Sequence, residues 1–424
     1  MRNRRKPTLL MLTSSFPGAP ADETCGYVRD FARAISSEFD VRVLAPADGK
    51  AREWPEDSFS LARSTPWLPG RFDPFRATVD FNDLLSESLR VKVASAISLA
   101  AFFNGAIKQA LHADAICSHW LAPSGVIGAS LSLITGKPHV AIEHSGALHM
   151  LARMRGGVSL TRFIARGSHR IVTVSEDLRG KLISMCPEAA AKVEVIPMGT
   201  GATAMRSARP TPPRGLSDAS ASRQADRMRT VLFVGRLSKI KGVDVLVRAM
   251  EGIENARLIV AGDGEQRREL EELARGVSVS ASFLGRVGAV ERDDLLSSCD
   301  AVVIPSLVMP CGRTEGTPVV CFEAMAAGRP VIAARVGGLA EIIIDGEDGL
   351  LFDAGDHLSL RERLRLVLDD ASLWRRLSRM GLQKATNYHW SKIGGRFCRV
   401  IKESLKKNDS TTCDETVKTS TGLT

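Results

Sequence analysis

At 424 residues, 44% hydrophobic and 25% charged, the chain has the makeup of a soluble globular protein and is long for a single core, so two domains are expected. Its formal charge of +9 invites a nucleic-acid reading, but residues 1–203 carry 24 Lys and Arg against 19 Asp and Glu, and the remainder 33 against 29. An excess spread over both halves, with aromatic residues at 5%, excludes a dedicated nucleic-acid face; it fits a solvated basic surface, with peripheral contact of the MRNRRK start to an anionic membrane as the alternative.

From the amino terminus, short apolar runs alternate with helical stretches. Strands are predicted at 8–14, 41–45, 114–120, 138–144, 170–175 and 193–198, and helices near 27–38, 83–111, 123–134 and 176–184. The alternation restarts after residue 229, with strands at 230–235, 257–262, 281–285, 301–305 and 330–334. Continuous apolar strands separated by helices mean parallel sheets covered on both faces, and two such series give two doubly wound, Rossmann-like α/β domains.

The divisions follow from composition. A first domain over 1–203 is followed by a linker over 204–229, rich in Ala, Ser, Pro and Arg and containing PTPPRG, and then by a second domain over 230–383. Residues 46–82 form an irregular insert with Trp54, Trp67 and five prolines, read as a lid, an acceptor surface or ordinary loop packing. The tail over 406–424 reads as disordered. Eight cysteines without regular spacing suggest a reduced, cytoplasmic inventory. The first apolar run is too short for a signal peptide, and the longest, around 93–103, is too short for a membrane span.

The strongest chemical signal is EGTPVVCFEAMAAGRPVIA (315–333). Thr317 suits a helix N-cap and Pro318 the first turn, while Gly328 and Pro330 close the helix. The residues between are apolar on almost every side except for Glu323, so the helix is expected to be buried. A buried carboxylate without a partner costs roughly several kcal/mol, so Glu323 needs either a ligand or an internal salt bridge. Glu315 sits on the loop entering the same helix. Upstream, GRLSKIKG (235–242) follows a strand directly, with Gly235 allowing close backbone approach and Arg236 and Lys241 able to meet a diphosphate. Carboxylates for hydroxyls and cations for phosphates together suggest a nucleotide sugar. AGDGEQ (261–266) is a weak dinucleotide signature, because Arg267 stands where the third glycine belongs. No Asp-x-Asp pair is present to hold Mg²⁺ against a diphosphate, so neither metal nor cofactor is expected. His144, at the end of a predicted strand, is either a site residue or a hydrogen-bonded core histidine; His119 and His149 are weaker candidates, and no zinc set is visible.

GRLSKIKG, AGDGEQ, the two glutamates of EGTPVVCFE, EAMAAGRPVIA and GGLAEIIIDGEDGLLF (337–352) together resemble glycosyltransferase family 4, the retaining enzymes of the GT-B fold. The likeness continues more loosely through SSFPGAPADETCGYVRDFARAI (14–35), SHWLAPSG (118–125), IEHSGAL (142–148) and VTVSEDLRGKL (172–182). VIPMGTGAT (195–203) resembles the end of the family's first domain, with Pro-Met-Gly in place of the usual Pro-Asn-Gly.

The resemblance implies two Rossmann-like domains facing an interdomain cleft, with a helix over 384–405 packing back towards the first domain. It implies that Arg236 and Lys241 neutralise the departing diphosphate and that Glu323 accepts hydrogen bonds from the ribose. Glu315 would lie by the transferred sugar, and backbone N–H groups of Gly316, Thr317 and Val319 would contact sugar or phosphate. Gly26 would let the first loop approach the phosphate, and His144 would lie over the reacting carbon. The expected activity is metal-independent transfer, with retention, from a nucleotide-diphosphate sugar to a hydroxyl of a glycan, lipid-linked or small-molecule acceptor. The expected setting is surface glycan synthesis in the cytoplasm or at the inner face of the membrane. The alternatives are a nucleotide-sugar epimerase of the same fold and a non-catalytic, nucleotide-sugar-binding partner subunit.

Overall fold

The apolar runs of the first half form a seven-stranded, wholly parallel sheet in the order β3-β2-β1-β4-β5-β6-β7. Its strands are β1 (Thr8–Thr13), β2 (Asp40–Pro46), β3 (Ser60–Ser64), β4 (Ala115–His119), β5 (His139–Glu143), β6 (Arg170–Thr173) and β7 (Val193–Val195). The coordinates are a computed structural model that describes residues 5–19, 22–23, 25–46, 57–64, 89–201 and 228–420. Every residue of β1, β4 and β5 is buried, as continuous apolar strands covered on both faces require.

The second half forms a six-stranded parallel sheet in the order β10-β9-β8-β11-β12-β13. It contains β8 (Arg229–Val234), β9 (Ala256–Ala261), β10 (Ala281–Gly285), β11 (Ala301–Ile304), β12 (Val331–Ala334) and β13 (Leu350–Phe352). Its core gathers Leu232, Phe233, Phe322, Met325 and Trp374, all buried, and the Trp374 indole satisfies its N–H on the Asp300 carbonyl at 2.7 Å. The chain divides into one compact unit of Met1–Pro197 with Ser391–Thr424 and a second of Met198–Trp390.

Both sheets reverse their strand order at the first strand, between β1 and β4 in one unit and between β8 and β11 in the other. At such a switch point the two adjacent crossovers leave on opposite faces of the sheet, which opens a crevice at the carboxyl ends of the strands. The predicted site residues lie on the loops and helix starts at or next to these two places.

Several expectations need correction. The helix after Pro318 runs from Val319 to Ala326 with Pro318 in the N-cap position and no side-chain cap, so Thr317 is not its cap. The insert supplies an edge strand, β3, parallel to β2; residues 47–56 and 65–82 lie outside the described residues, Trp54 and Trp67 included. Helices Gly146–Arg153 and Gly157–Arg166, absent from the sequence reading, fill the β5–β6 connection. The last helix runs from Trp390 to Ser420, past residue 406, where disorder was expected; after Gly395 no Gly or Pro occurs before Gly422. Of the expected linker, residues 202–227 lie outside the described residues. No described helix is long and apolar enough to cross a membrane.

Candidate active site

In the second unit, three loops meet at the carboxyl ends of β8, β11 and β12. The loop after β8 turns through Lys239–Lys241 to Gly242, where φ is +61° and an added Cβ would stand 2.0 Å from the Pro305 carbonyl oxygen. Only glycine fits there, and the contact holds the β8 loop against the β11 loop. A hydrogen bond from Leu307 N–H to the Ile240 carbonyl, 2.8 Å, ties the same two segments. The loops after β11 and β12 are joined likewise: Gly338 N–H donates to the Gly316 carbonyl at 2.9 Å, and a Cβ on Gly338 would sit 2.0 Å from that oxygen.

This scaffold unites residues far apart in sequence. Lys241 Nζ donates to Glu315 Oε2 at 2.8 Å, in a pair that is mostly buried. Glu323, on the helix Val319–Ala326, pairs with Arg292 Nη1 at 3.4 Å. Arg292 lies on the helix Ala289–Ser298 and also pairs with Asp293 at 3.5 Å. Glu323 thus has the internal partner that was weighed against a ligand; a carboxylate has about four lone-pair sites, so the pairing leaves room for hydroxyl donors. Arg236, half exposed, pairs with Glu265 at 3.2 Å. Gly235 ends β8 with its amide donating to the Ala261 carbonyl at 3.0 Å. Gly316 and Thr317 precede the Val319 helix, whose first-turn N–H groups point out of its amino end.

In the first unit the carboxyl ends of β1, β4 and β5 carry a different set. Gly26 is buried and opens the helix Gly26–Ile35, preceded by Cys25 at φ +55°. His119 ends β4, and His144 follows β5. In the parallel register His119 faces Ile142, so His144, two residues on, projects to the same side. His119 Nδ1 and His144 Nε2 are 2.9 Å apart, with ring planes within 6°. Tyr27 and Trp120 flank His144 with centroids at 5.2 and 4.9 Å, and Phe31 stands edge to face with His119 at 4.7 Å. Burial pushes the His144 pKa down to about 3; burial and then the neighbouring His144 hold His119 well below its usual value.

Glu143, which precedes His144, has a structural task. Its buried carboxylate accepts N–H bonds from Leu121 at 3.0 Å, Ser145 at 2.8 Å and Leu148 at 3.1 Å. Burial raises its pKa, and these amides oppose that rise. One side chain thus pins the turns after β4 and β5, in which Trp120 at φ +67° and Ser145 at φ +132° adopt strained backbones. His149 lies apart, 2.5 Å from Lys181 Nζ.

Arg292, Glu143, Tyr27 and Trp120 were not predicted as parts of the site, and His119 entered only as a weaker candidate. Two histidines ending consecutive parallel strands would have signalled the His119–His144 pair. Nothing in the charge pattern of 289–298 distinguishes Arg292.

Two families match the chain in order. Residues 26–199 match the family described as glycosyl transferase 4-like domain, and residues 218–384 match glycosyl transferases group 1. An uncharacterized glycosyltransferase of Methanocaldococcus jannaschii is 28% identical over 281 residues, 66% of this chain and 72% of the relative. The lipopolysaccharide core biosynthesis glycosyltransferase LpsD of Rhizobium meliloti is 34% identical over 205 residues, 47% of this chain and 57% of the relative. In fold the chain resembles HepE of Anabaena, solved with UDP-glucose, with a TM-score of 0.69 at 20% identity over 95% of this chain and all of that one. With the 4-like family on its first unit and the group 1 family on its second, the chain belongs to the glycosyltransferases of family 4 type, built on the GT-B fold.

Proposed function

We propose that this glycosyltransferase takes a sugar from a nucleotide-diphosphate donor held by the second unit and transfers it, with retention and without a metal, to an acceptor hydroxyl. The observation that carries this reading is the Lys241–Glu315 pair at the β8–β11 switch point, 2.8 Å across a gap of 74 residues. It sets a cation for phosphate oxygens beside a carboxylate for sugar hydroxyls. Arg236 adds a second cation, and Glu323, steadied by Arg292, is placed to accept from a ribose.

In the proposed step the bond from the anomeric carbon to the diphosphate oxygen breaks as the acceptor oxygen attacks on the same face. The acceptor proton passes to the departing phosphate, whose growing charge falls on Lys241, Arg236 and the amino end of the Val319 helix. These fixed donors supply the charge stabilisation otherwise assigned to Mg²⁺. Nucleotides with uracil are the first to test, because HepE binds UDP and UDP-glucose. LpsD serves lipopolysaccharide core synthesis, which makes a surface glycan or its lipid-linked precursor the acceptor class proposed here.

The test is incubation of the EDTA-treated protein with UDP-, GDP- and ADP-sugars, alone and with lipid-linked and free glycans, reading nucleotide release and the anomeric configuration of the product by NMR. Release in EDTA with a retained anomeric centre supports the proposal. An inverted product, or activity restored only by a divalent ion, overturns the corresponding part. Interconversion of the donor sugar without transfer would favour the epimerase.

A further inference from the structure

Two neutral imidazoles share one hydrogen bond at the carboxyl ends of β4 and β5, and the position of its single proton decides what His144 offers a substrate. Between His119 Nδ1 and His144 Nε2, 2.9 Å apart, the proton sits on one nitrogen or the other. If His144 Nε2 carries it, His119 must carry its own proton on Nε2. That atom is fully buried and has no hydrogen-bond partner among the described residues. An N–H in that position would be an orphaned donor among apolar and aromatic neighbours such as the Phe31 ring, whose centroid lies 4.7 Å from that of His119, and a ring face returns only a fraction of a normal hydrogen bond. If His119 Nδ1 carries it, the buried Nε2 is a bare acceptor, the less costly orphan.

We propose that His119 is a positioning residue that donates from Nδ1 to His144 Nε2 and so fixes His144 as the Nδ1–H tautomer, meeting the substrate as a hydrogen-bond donor and not as a base. The surroundings hold the pair in register. Glu143 pins both turns through Leu121 and Ser145, and Tyr27 and Trp120 flank the His144 ring. His119 itself is completely buried behind His144. A neutral ring that donates to a sugar oxygen adds no positive charge beside a carbon that is itself becoming cationic. The catalytic consequence rests on the function proposed above; the tautomer does not.

The experiment is a long-range ¹H–¹⁵N correlation spectrum of the full-length, ¹⁵N-histidine-labelled protein at pH 7, with His144 and His119 assigned by loss of their signals in His144→Gln and His119→Asn. The Nδ1–H pattern for both rings is expected. An Nε2–H pattern for His144, or a rapidly exchanging mixture, overturns the proposal. Kinetics supply the second arm. His119→Leu should lower kcat for donor turnover about tenfold with donor KM within twofold, and His119→Asn, whose amide replaces the Nδ1–H donor, should recover most of it. Equal losses in both variants would reduce His119 to a packing residue. Absence of turnover in the unsubstituted protein, with the Nδ1–H pattern present, would contradict the proposed function and leave the tautomer assignment standing.

Discussion

The two sheets end alike in topology and oppositely in electrostatics. Each reverses its strand order at its first strand and gathers loops at the carboxyl ends beside it. The second unit fills that place with charge: Lys241 on Glu315, Arg292 on Glu323, Arg236 on Glu265. The first centres it on rings, His144 and His119 between Tyr27, Trp120 and Phe31, with its charges, Glu143 and the Glu23–Arg29 pair, turned to hold the loops. The difference matches what each end would face in glycosyl transfer. A departing diphosphate needs preorganised cations, whereas a sugar carbon with oxocarbenium character is better met by neutral donors. One architecture thus carries two different sets of side chains, because the loops set the electrostatics and the sheet sets only the place.

The comparison breaks most visibly at Lys241. Lys241→Ala should lower turnover about 100- to 1,000-fold, as loss of a charge-stabilising donor does elsewhere, and should also leave Glu315 without its cation. Lys241→Arg should restore a minority of the rate, since a planar fork does not replace a point charge. His144→Gln, on the neutral side, should reduce kcat about tenfold or more while the nucleotide-induced thermal shift stays intact. Loss of that shift would mean the two ends do not divide the work. Glu323→Ala should weaken nucleotide binding about tenfold, measurable by calorimetry, because it removes a charged acceptor.

A further effect is on acid stability, and its sign is fixed. His139 and His144 are both held to about 3, below the usual histidine value near 6.5, so between those values the unfolded chain binds more protons than the folded one. Stability from these rings is fully present above about pH 6.5 and is lost as pH falls towards 3. In His144→Gln the decline of Tm with acid should be shallower than in the unsubstituted protein. An unchanged slope would show that His144 titrates normally.

The second unit's chemistry was legible in the sequence because a lone charge in an apolar helix demands explanation. Glu323 stands out against Val320, Phe322, Met325 and Ala326 without any structure. Its partner does not: Arg292 is one of several charges on an ordinary polar helix, and only folding brings it 31 residues forward. Strands of four or more residues with both faces buried were legible, as in β1 and β11, whereas β13, buried but only three residues long, was not. β3 was not, because SLARS is short, partly exposed and at a sheet edge. Thr317 was taken as a cap from its residue type, but the chain after Gly316 enters the helix one residue later, with Pro318 in extended conformation at ψ 118°. The two histidines are visible at the ends of consecutive predicted strands, but their contact depends on the register between β4 and β5, which only the fold supplies.

The central claim is that the charged end of the second sheet binds a nucleoside diphosphate without a metal. Thermal unfolding in EDTA against UDP, GDP and ADP tests it most directly. At a ligand concentration about one hundred times the dissociation constant, binding adds about 2.7 kcal/mol, and for a protein of this size each kcal/mol raises Tm by about 2–4 °C. The account predicts a rise of several degrees with one of the three nucleotides, abolished in Lys241→Ala and reduced in Glu323→Ala. No rise with any nucleotide in EDTA, or one that survives both substitutions, would contradict it.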